Sequence, residues 1–110
     1  MSEDKIQAAS FQWLHNTYPL LRNLFFAVPN GGTRNIVEAM KLKATGTIPG
    51  IPDTILLYAG TCIGFEFKAE KGVISEVQKK VHMVWKLNGY KVYIVRSFAE
   101  FQTIIKKIVI

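Results

Sequence analysis

The sequence predicts an α/β fold in which a small mixed β-sheet is flanked by α-helices. Helical and extended apolar patterns alternate in the order α β α β β α β α. A tight turn joins the two central extended stretches, which indicates an antiparallel hairpin. The segment that connects the second hairpin strand to the last strand has the length of a βαβ crossover. Such a connection joins parallel strands, so we expect these two strands to be parallel and the sheet to be mixed. A length of 110 residues fits one domain, residues 1–110.

The first half of the chain contains two predicted helices and one strand. Residues 3–17 form the first helix, which Tyr18-Pro19 ends. Residues 24–28 form a short buried strand before a turn at residues 29–32. Thr33 is expected to cap the second helix, and a loop spans residues 46–52. The residues at helical spacing are Ile6, Ala9, Trp13 and Leu14 in the first helix and Ile36, Ala39, Met40 and Lys43 in the second.

The second half begins with hairpin strands at residues 54–58 and 61–68. Ser75 opens a third helix, which Gly89 ends, and residues 90–95 alternate as a strand. Ser97 opens the last helix and is expected to form a capping box with Glu100. The apolar face of this helix consists of Phe98, Phe101, Ile104, Ile105 and Ile108.

Composition excludes several classes of protein. The chain has one cysteine, Cys62, and two histidines, so a disulfide framework, a cysteine zinc site and a histidine-rich metal site are excluded. Its longest apolar stretch without charge, residues 54–65, is too short for a membrane helix, and its acidic start is unlike a secretory signal. We expect a soluble, cytoplasmic protein that does not bind membranes. The formal net charge of +6 favours a polyanionic partner such as nucleic acid.

Three charged residues of the hairpin carry the first indication of chemistry. Glu66 and Lys68 lie on one face of their strand, about 6.6 Å apart, because side chains alternate. If Ala59-Gly60 is the turn, Asp53 lies opposite Glu66. If Gly60-Thr61 is the turn, Asp53 lies opposite Lys68. In both cases Asp53 shares their face.

Two carboxylates on facing positions of a ladder repel each other unless something compensates them. A divalent cation compensates them well, since Mg²⁺ is bound by one or two carboxylates together with substrate phosphate. Lys68 could then stabilise charge that develops on the phosphate. This pattern is typical of metal-assisted phosphodiester hydrolysis. The alternative is an ordinary surface hairpin with a Glu–Lys pair.

Further motifs surround the hairpin. They are VPNGG at 28–32, KATG at 43–46, PGIPD at 49–53, EFK at 66–68, KGVISEVQ at 71–78 and GYKVYIVRS at 89–97. Each motif is weak alone, but their order and spacing are specific. Together they resemble those of the VRR-NUC nucleases of the PD-(D/E)XK superfamily. The resemblance covers nearly the whole chain and is closest to the short standalone form of phages and bacteria.

The resemblance implies a restriction-endonuclease-like fold and an Mg²⁺- or Mn²⁺-dependent endonuclease that hydrolyses DNA. Branched substrates such as Holliday junctions or flaps are implied, as are a homodimer and a location in the cytoplasm of a bacterial cell or phage-infected host. A non-cleaving DNA-binding or protein-interaction module of the same fold is the first alternative. A small basic structural protein, with little DNA binding at moderate salt, is the second.

The resemblance also assigns roles to individual residues. It implies that Asp53 and Glu66 bind the metal and that Lys68 is the catalytic lysine, and the carbonyl of Phe67 is a further candidate ligand. The last candidate metal ligand is a carboxylate of the first helix, Glu3 or alternatively Asp4. An N-terminal acidic residue could equally serve the helix dipole.

Gln78 matches the glutamine of the family's catalytic site, and it also fits a capping box with Ser75. His82 lies one helical turn after Gln78. It could therefore face the same cleft, but it is left outside the catalytic set, since a lone helical histidine is more often exposed or packed.

Phosphate contacts are expected from two parts of the chain. Asn30, Gly31 and Gly32 lead into a helix N-terminus, whose free N–H groups can bind phosphate, although an ordinary turn explains them too. The basic residues near this helix and around the third one are Arg34, Lys41, Lys43, Lys71 and Lys79. They are candidates for contacts to the DNA backbone.

Overall fold

A computed structural model describes residues 1–29 and 35–110 of the chain. It contains one four-stranded sheet and the helices predicted from the sequence. The helices are α1 (Glu3–Thr17), α2 (Ile36–Ala44), α3 (Glu76–Leu87) and α4 (Phe98–Ile108), with a short 3-10 turn at Pro19–Leu21. The strands are β1 (Phe25–Ala27), β2 (Thr54–Tyr58), β3 (Thr61–Phe67) and β4 (Lys91–Val95). No helix within these described ranges has both the length and the apolar character to span a membrane.

The sheet is mixed, as predicted, and its strands are ordered β1-β2-β3-β4. The first three strands are antiparallel, whereas β3 and β4 are parallel and are connected through α3. The hairpin turn is Ala59-Gly60, because Tyr58 pairs with Thr61. Both turn residues have positive φ, 50° and 77°, which matches the twist of a two-residue hairpin. This register selects the alternative in which Asp53 lies opposite Glu66.

One face of the sheet carries the apolar core under α1 and α4. Alternation in β3 sends Ile63, Phe65 and Phe67 to this face, where all three are buried. Their neighbours in the core are Ile6, Leu14, Leu21, Phe25, Leu56, Val95, Phe101 and Ile105. The apolar stripes predicted for the first and last helices are thus the stripes that pack on the sheet.

The opposite face of β3 is covered by α3 and by the loop before β2. A Cβ atom added to Gly64 would lie 2.6 Å from Cγ of Pro52 and 3.0 Å from the ring of Trp85. The missing side chain therefore lets Pro52 pack against the strand. Since Asp53 follows Pro52 directly, this contact helps to set the position of Asp53.

Three local expectations were wrong. The first strand is not buried: it is an edge strand in which Phe25 is buried but Phe26 is 40% exposed. The cap of α2 is Asn35, whose side chain accepts a hydrogen bond from the N–H of Glu38 at 2.8 Å. Thr33 itself lies outside the described residues.

The third wrong expectation concerns the capping box of α4. Oγ of Ser97 does accept a hydrogen bond from the N–H of Glu100 at 3.1 Å. Glu100, however, accepts from the N–H of Arg96 at 2.7 Å. The expected reciprocal bond to Ser97 is replaced by one to the preceding residue.

We predict that Gly64→Ala destabilises the protein, because the added methyl group must displace Pro52 or Trp85. Overpacking of this kind costs roughly 1–3 kcal/mol. Thermal unfolding followed by circular dichroism measures the effect. Cys62→Ala, on the same face of β3, is the matched control and should change the midpoint much less. Equal midpoints for Gly64→Ala and the parent would contradict the packing described here.

Candidate active site

Asp53 is held at the end of the hairpin by two backbone contacts. Its carbonyl accepts a hydrogen bond from the N–H of Val28 at 2.9 Å, which ties it to the chain after β1. Its side-chain Oδ2 accepts from the N–H of Phe67 at 2.7 Å. The carboxylate is therefore fixed against the end of β3, beside Glu66.

Glu66 is the buried carboxyl group of the site. It is 1% exposed and sits in the central strand, whose two faces are both covered. Burial, followed by the charge and hydrogen bonding of nearby Asp53, raises the pKa of Glu66 to about 8. The charge of Lys68 acts in the opposite direction. In the absence of a cation, Glu66 is thus mostly protonated at neutral pH.

Gln78 joins the start of α3 to the site. Its Oε1 accepts from the N–H of Ser75 at 2.9 Å, and its own N–H donates to Oγ of Ser75 at 3.1 Å. Its Nε2 donates to Oε2 of Glu66 at 3.1 Å. The two interpretations of Gln78 from the sequence are therefore compatible: the residue completes the capping box and contacts Glu66 with the other half of its amide.

Lys68 directly follows β3 and is half-buried. Its backbone N–H donates to the carbonyl of Val95 at 2.9 Å, which continues the pairing with β4 for one more residue. Its charge lowers the pKa of Glu66, so the ammonium group lies within electrostatic range of that carboxyl. The structure thus brings Asp53, Glu66 and Lys68 to the same end of the hairpin.

The two candidate carboxylates of α1 occupy different surroundings. The charge of Glu3 contributes to the raised pKa of Glu66, so Glu3 lies within electrostatic range of the site. Asp4 instead lines a surface cavity of about 300 Å³ with Gln7, Phe11 and Ala27. Of the two, Glu3 has the observed link to Glu66.

The predicted DNA contacts are spread over the surface. Lys41 and Lys43 are exposed in the last turn of α2, and Lys71 is exposed in the loop after β3. Lys79 is also exposed and forms an ion pair with Glu76 at 3.2 Å. The remaining candidates lie outside the described residues; they are Asn30, Gly31, Gly32 and Arg34.

The side chains of the site fit Mg²⁺ or Mn²⁺ as part of a shared ligand set. Within residues 1–29 and 35–110, no group of three or more His, Cys, Asp or Glu side chains could hold a metal ion by itself. Asp53 and Glu66 supply hard oxygen donors, and Oε1 of Glu66 is buried without a hydrogen-bond partner in the described part of the chain. Mg²⁺ is commonly bound through one or two carboxylates together with substrate phosphate and water.

Two residues near the site were not assigned a role from the sequence. His82 is buried, and its Nε2 lies 3.4 Å from Oε1 of Glu66. The spacing of four residues from Gln78 indicated that His82 could face the same cleft, but it assigned no role to the residue. Nη1 of Arg96 donates to the carbonyls of Ala69 (2.9 Å), Glu70 (3.2 Å) and Gly72 (2.7 Å) and so holds the loop after Lys68. No spacing in the sequence indicates this contact.

We predict that Glu66→Gln stabilises the metal-free protein at pH 8. With a pKa of about 8 when folded, Glu66 keeps a proton that the unfolded chain loses above its ordinary pKa of 4.5. The free energy of unfolding therefore falls as the pH rises toward 8, by up to about 1.4 kcal/mol per pH unit. The neutral amide of the variant does not titrate, so its stability lacks this dependence on pH.

The measurement is the thermal midpoint in EDTA between pH 6.5 and 8. His82, whose pKa is lowered by burial and by the charge of Lys86, titrates in both proteins, so the difference between the two curves reports on Glu66. Over this range the parent midpoint should fall by roughly 5–10 °C relative to the Glu66→Gln midpoint. Parallel curves for the two proteins would contradict the burial of a titrating carboxyl.

Comparison with known proteins supports the fold. A solved structure described as a VRR_NUC domain protein superposes with a TM-score of 0.77 and 18% sequence identity, over 96% of this chain and 86% of that one. No protein-family model matches the sequence. No curated protein matches it at the level of sequence. The fold predicted from the motifs is confirmed: this chain has the fold of that VRR_NUC domain protein, a mixed four-stranded sheet flanked by four helices.

Proposed function

We propose that this chain, as a single domain of residues 1–110, is a metal-dependent endonuclease that hydrolyses phosphodiester bonds of DNA. The observation that carries the proposal is the hairpin end, where Asp53 and the buried Glu66 lie together with Lys68. A buried carboxyl group beside a second, half-buried one is costly for stability alone. It is suited to a cation and a phosphate, which the VRR-NUC fold leads us to expect.

Asp53 and Glu66 would hold Mg²⁺ or Mn²⁺, with the carbonyl of Phe67 as a further ligand and Glu3 as an additional carboxylate. When bound, the ion supplies positive charge at the phosphate and lowers the pKa of water. Lys68 stabilises the negative charge that develops on the phosphate as water attacks phosphorus and the P–O bond breaks. Gln78 keeps Glu66 oriented through its bond to Oε2.

We further propose that the substrate is branched DNA, such as a Holliday junction or a flap. Support comes from the sequence motifs and from the net charge of +6, which favours a polyanion. Lys41, Lys43, Lys71 and Lys79 would contact phosphates, because all four are exposed. Asn30, Gly31, Gly32 and Arg34 are proposed to extend this contact surface.

The last part of the proposal is a homodimer in which α2 contacts a second copy. This helix has nine residues, none of which is buried. Its apolar residues Ile36, Val37 and Met40 are exposed by 76%, 76% and 66%. A helix this short is marginal without packing, and an apolar surface is better covered by protein than by DNA phosphates. A second copy of the chain is always available for this contact.

We predict that Lys68→Ala abolishes cleavage without unfolding the protein, since Lys68 is half-buried beyond the end of β3. A labelled four-way junction, flap, duplex and single strand are incubated with Mg²⁺ or Mn²⁺. A loss of at least about 100-fold in rate is expected, on the order of the effect of removing one transition-state donor. EDTA should also stop the reaction.

Lys106→Ala is the matched control, because this lysine is exposed in the last turn of α4. It should cleave like the parent. Cleavage that persists in metal-purified Lys68→Ala would contradict the role of this lysine. A folded parent that binds DNA but never cuts it would favour the non-cleaving module.

We predict that Val37→Asp converts a dimer into a monomer. Val37 is in the first turn of α2, where a carboxylate is favourable for the helix itself. The substitution should therefore weaken only a contact between two molecules. Light scattering after size exclusion should give about twice the chain mass of 12.4 kDa for the parent and the chain mass for the variant. Leu20→Asp, at a site 93% exposed elsewhere, is the control. A parent of one chain mass contradicts the dimer.

A further inference from the structure

Glu66 faces a second residue of α3, His82, whose burial has no role in the site as described above. His82 is 4% exposed, and its Nε2 lies 3.4 Å from Oε1 of Glu66. Both atoms are buried, and neither has a hydrogen-bond partner among the described residues. Buried polar atoms are nearly always paired, and an unpaired one is costly. A small approach of the two side chains would satisfy both atoms at once.

The two oxygens of Glu66 thus face side chains from one side of one helix. Oε2 accepts from Nε2 of Gln78 at 3.1 Å, and Oε1 faces His82. Residues four apart on a helix lie one above the other. The capping box anchors Gln78 at the first turn of α3, so the position of His82 relative to Glu66 is set by a regular helix.

We propose that His82 is a positioning residue for Glu66: its Nε2–H donates to Oε1 and fixes the plane of the carboxylate toward the cation. Each carboxylate oxygen has about two lone-pair sites, so donors from α3 leave capacity on both oxygens for a metal. Because His82 is buried, it acts through Glu66 and does not contact DNA. The inference rests on the proposed function, since it concerns the orientation of a metal ligand.

The test is calorimetric titration of Mn²⁺ into the DNA-free protein. His82→Leu introduces an apolar side chain of similar size and removes the donor, whereas His82→Gln keeps a donor near the position of Nε2. His82→Leu should weaken Mn²⁺ binding by about 10- to 100-fold, as is typical for partners of metal ligands. His82→Gln should stay close to the parent. His15→Leu removes the other histidine, which contacts the carbonyl of Phe25, and should leave the affinity unchanged.

Cleavage kinetics supply the second readout. If His82 positions a ligand, His82→Leu should need more Mn²⁺ for half-maximal activity and approach the parental kcat at saturating Mn²⁺. Its KM for DNA should not change, because His82 lies inside the protein. A merely structural role would lower the thermal midpoint without making metal affinity depend on a donor.

The outcomes separate this inference from the proposed function. Parental Mn²⁺ affinity in folded His82→Leu, or equal weakening in His82→Leu and His82→Gln, overturns the role of His82 alone. A folded parent that binds no Mn²⁺ and cleaves none of the DNA substrates overturns the proposed function and this inference with it. If His82→Leu does not fold, His82→Asn replaces it, because its shorter amide cannot reach Oε1. Binding by His82→Asn equal to that by His82→Gln would then overturn the proposal.

Discussion

The burial of the Glu66 carboxyl in the central strand is the constraint on which the rest of the site depends. A carboxylate removed from water without partners is strongly unfavourable. Here burial and the proximity of Asp53 raise the pKa of Glu66 to about 8. The group therefore exists as a neutral acid, or as an anion that some positive charge must compensate. Under the proposed function, a divalent cation supplies that charge.

The fold creates this position through three neighbouring elements. Both faces of β3 are covered: α1 and α4 lie over the apolar side chains, and α3 lies over the side of Glu66. Gly64 allows Pro52 to approach the strand, and this brings Asp53 to the end of β3. The capping box of α3 directs Gln78 to Glu66. The elements that build the core thus also build the site.

The exposed surface carries both basic and apolar residues, and α2 presents some of each. The lysines proposed to contact DNA are solvated, and single phosphate contacts contribute affinity without sequence preference. The apolar residues of α2 behave differently, because a cluster of exposed apolar side chains on a short helix is typical of a contact with another protein. Under the proposed function, the lysines contact the nucleic acid and the apolar residues of α2 contact a second copy of the chain.

Local rules predicted most of the elements, because periodicity, capping residues and turn residues act over a few positions. The bounds of the first helix, the Ala59-Gly60 alternative for the turn and the parallel β3–β4 pair follow from such rules. The errors concern features that depend on tertiary packing. They are the position of the three-residue strand β1 at the edge of the sheet and the identity of the residue that caps α2.

The sequence by itself determined the order of the elements and the identity of the charged residues of the hairpin. Side chains alternate along a strand with a period of two. The sequence alone therefore shows that Glu66 and Lys68 lie on the same face. Only the tertiary structure decided how those residues behave. Three features depend on residues that are distant in sequence. They are the burial of Glu66, the contact of His82 with Glu66, and the hydrogen bonds from Arg96 to the loop after Lys68. Burial and long-range contacts depend on how helices cover the sheet, and no local pattern encodes that packing.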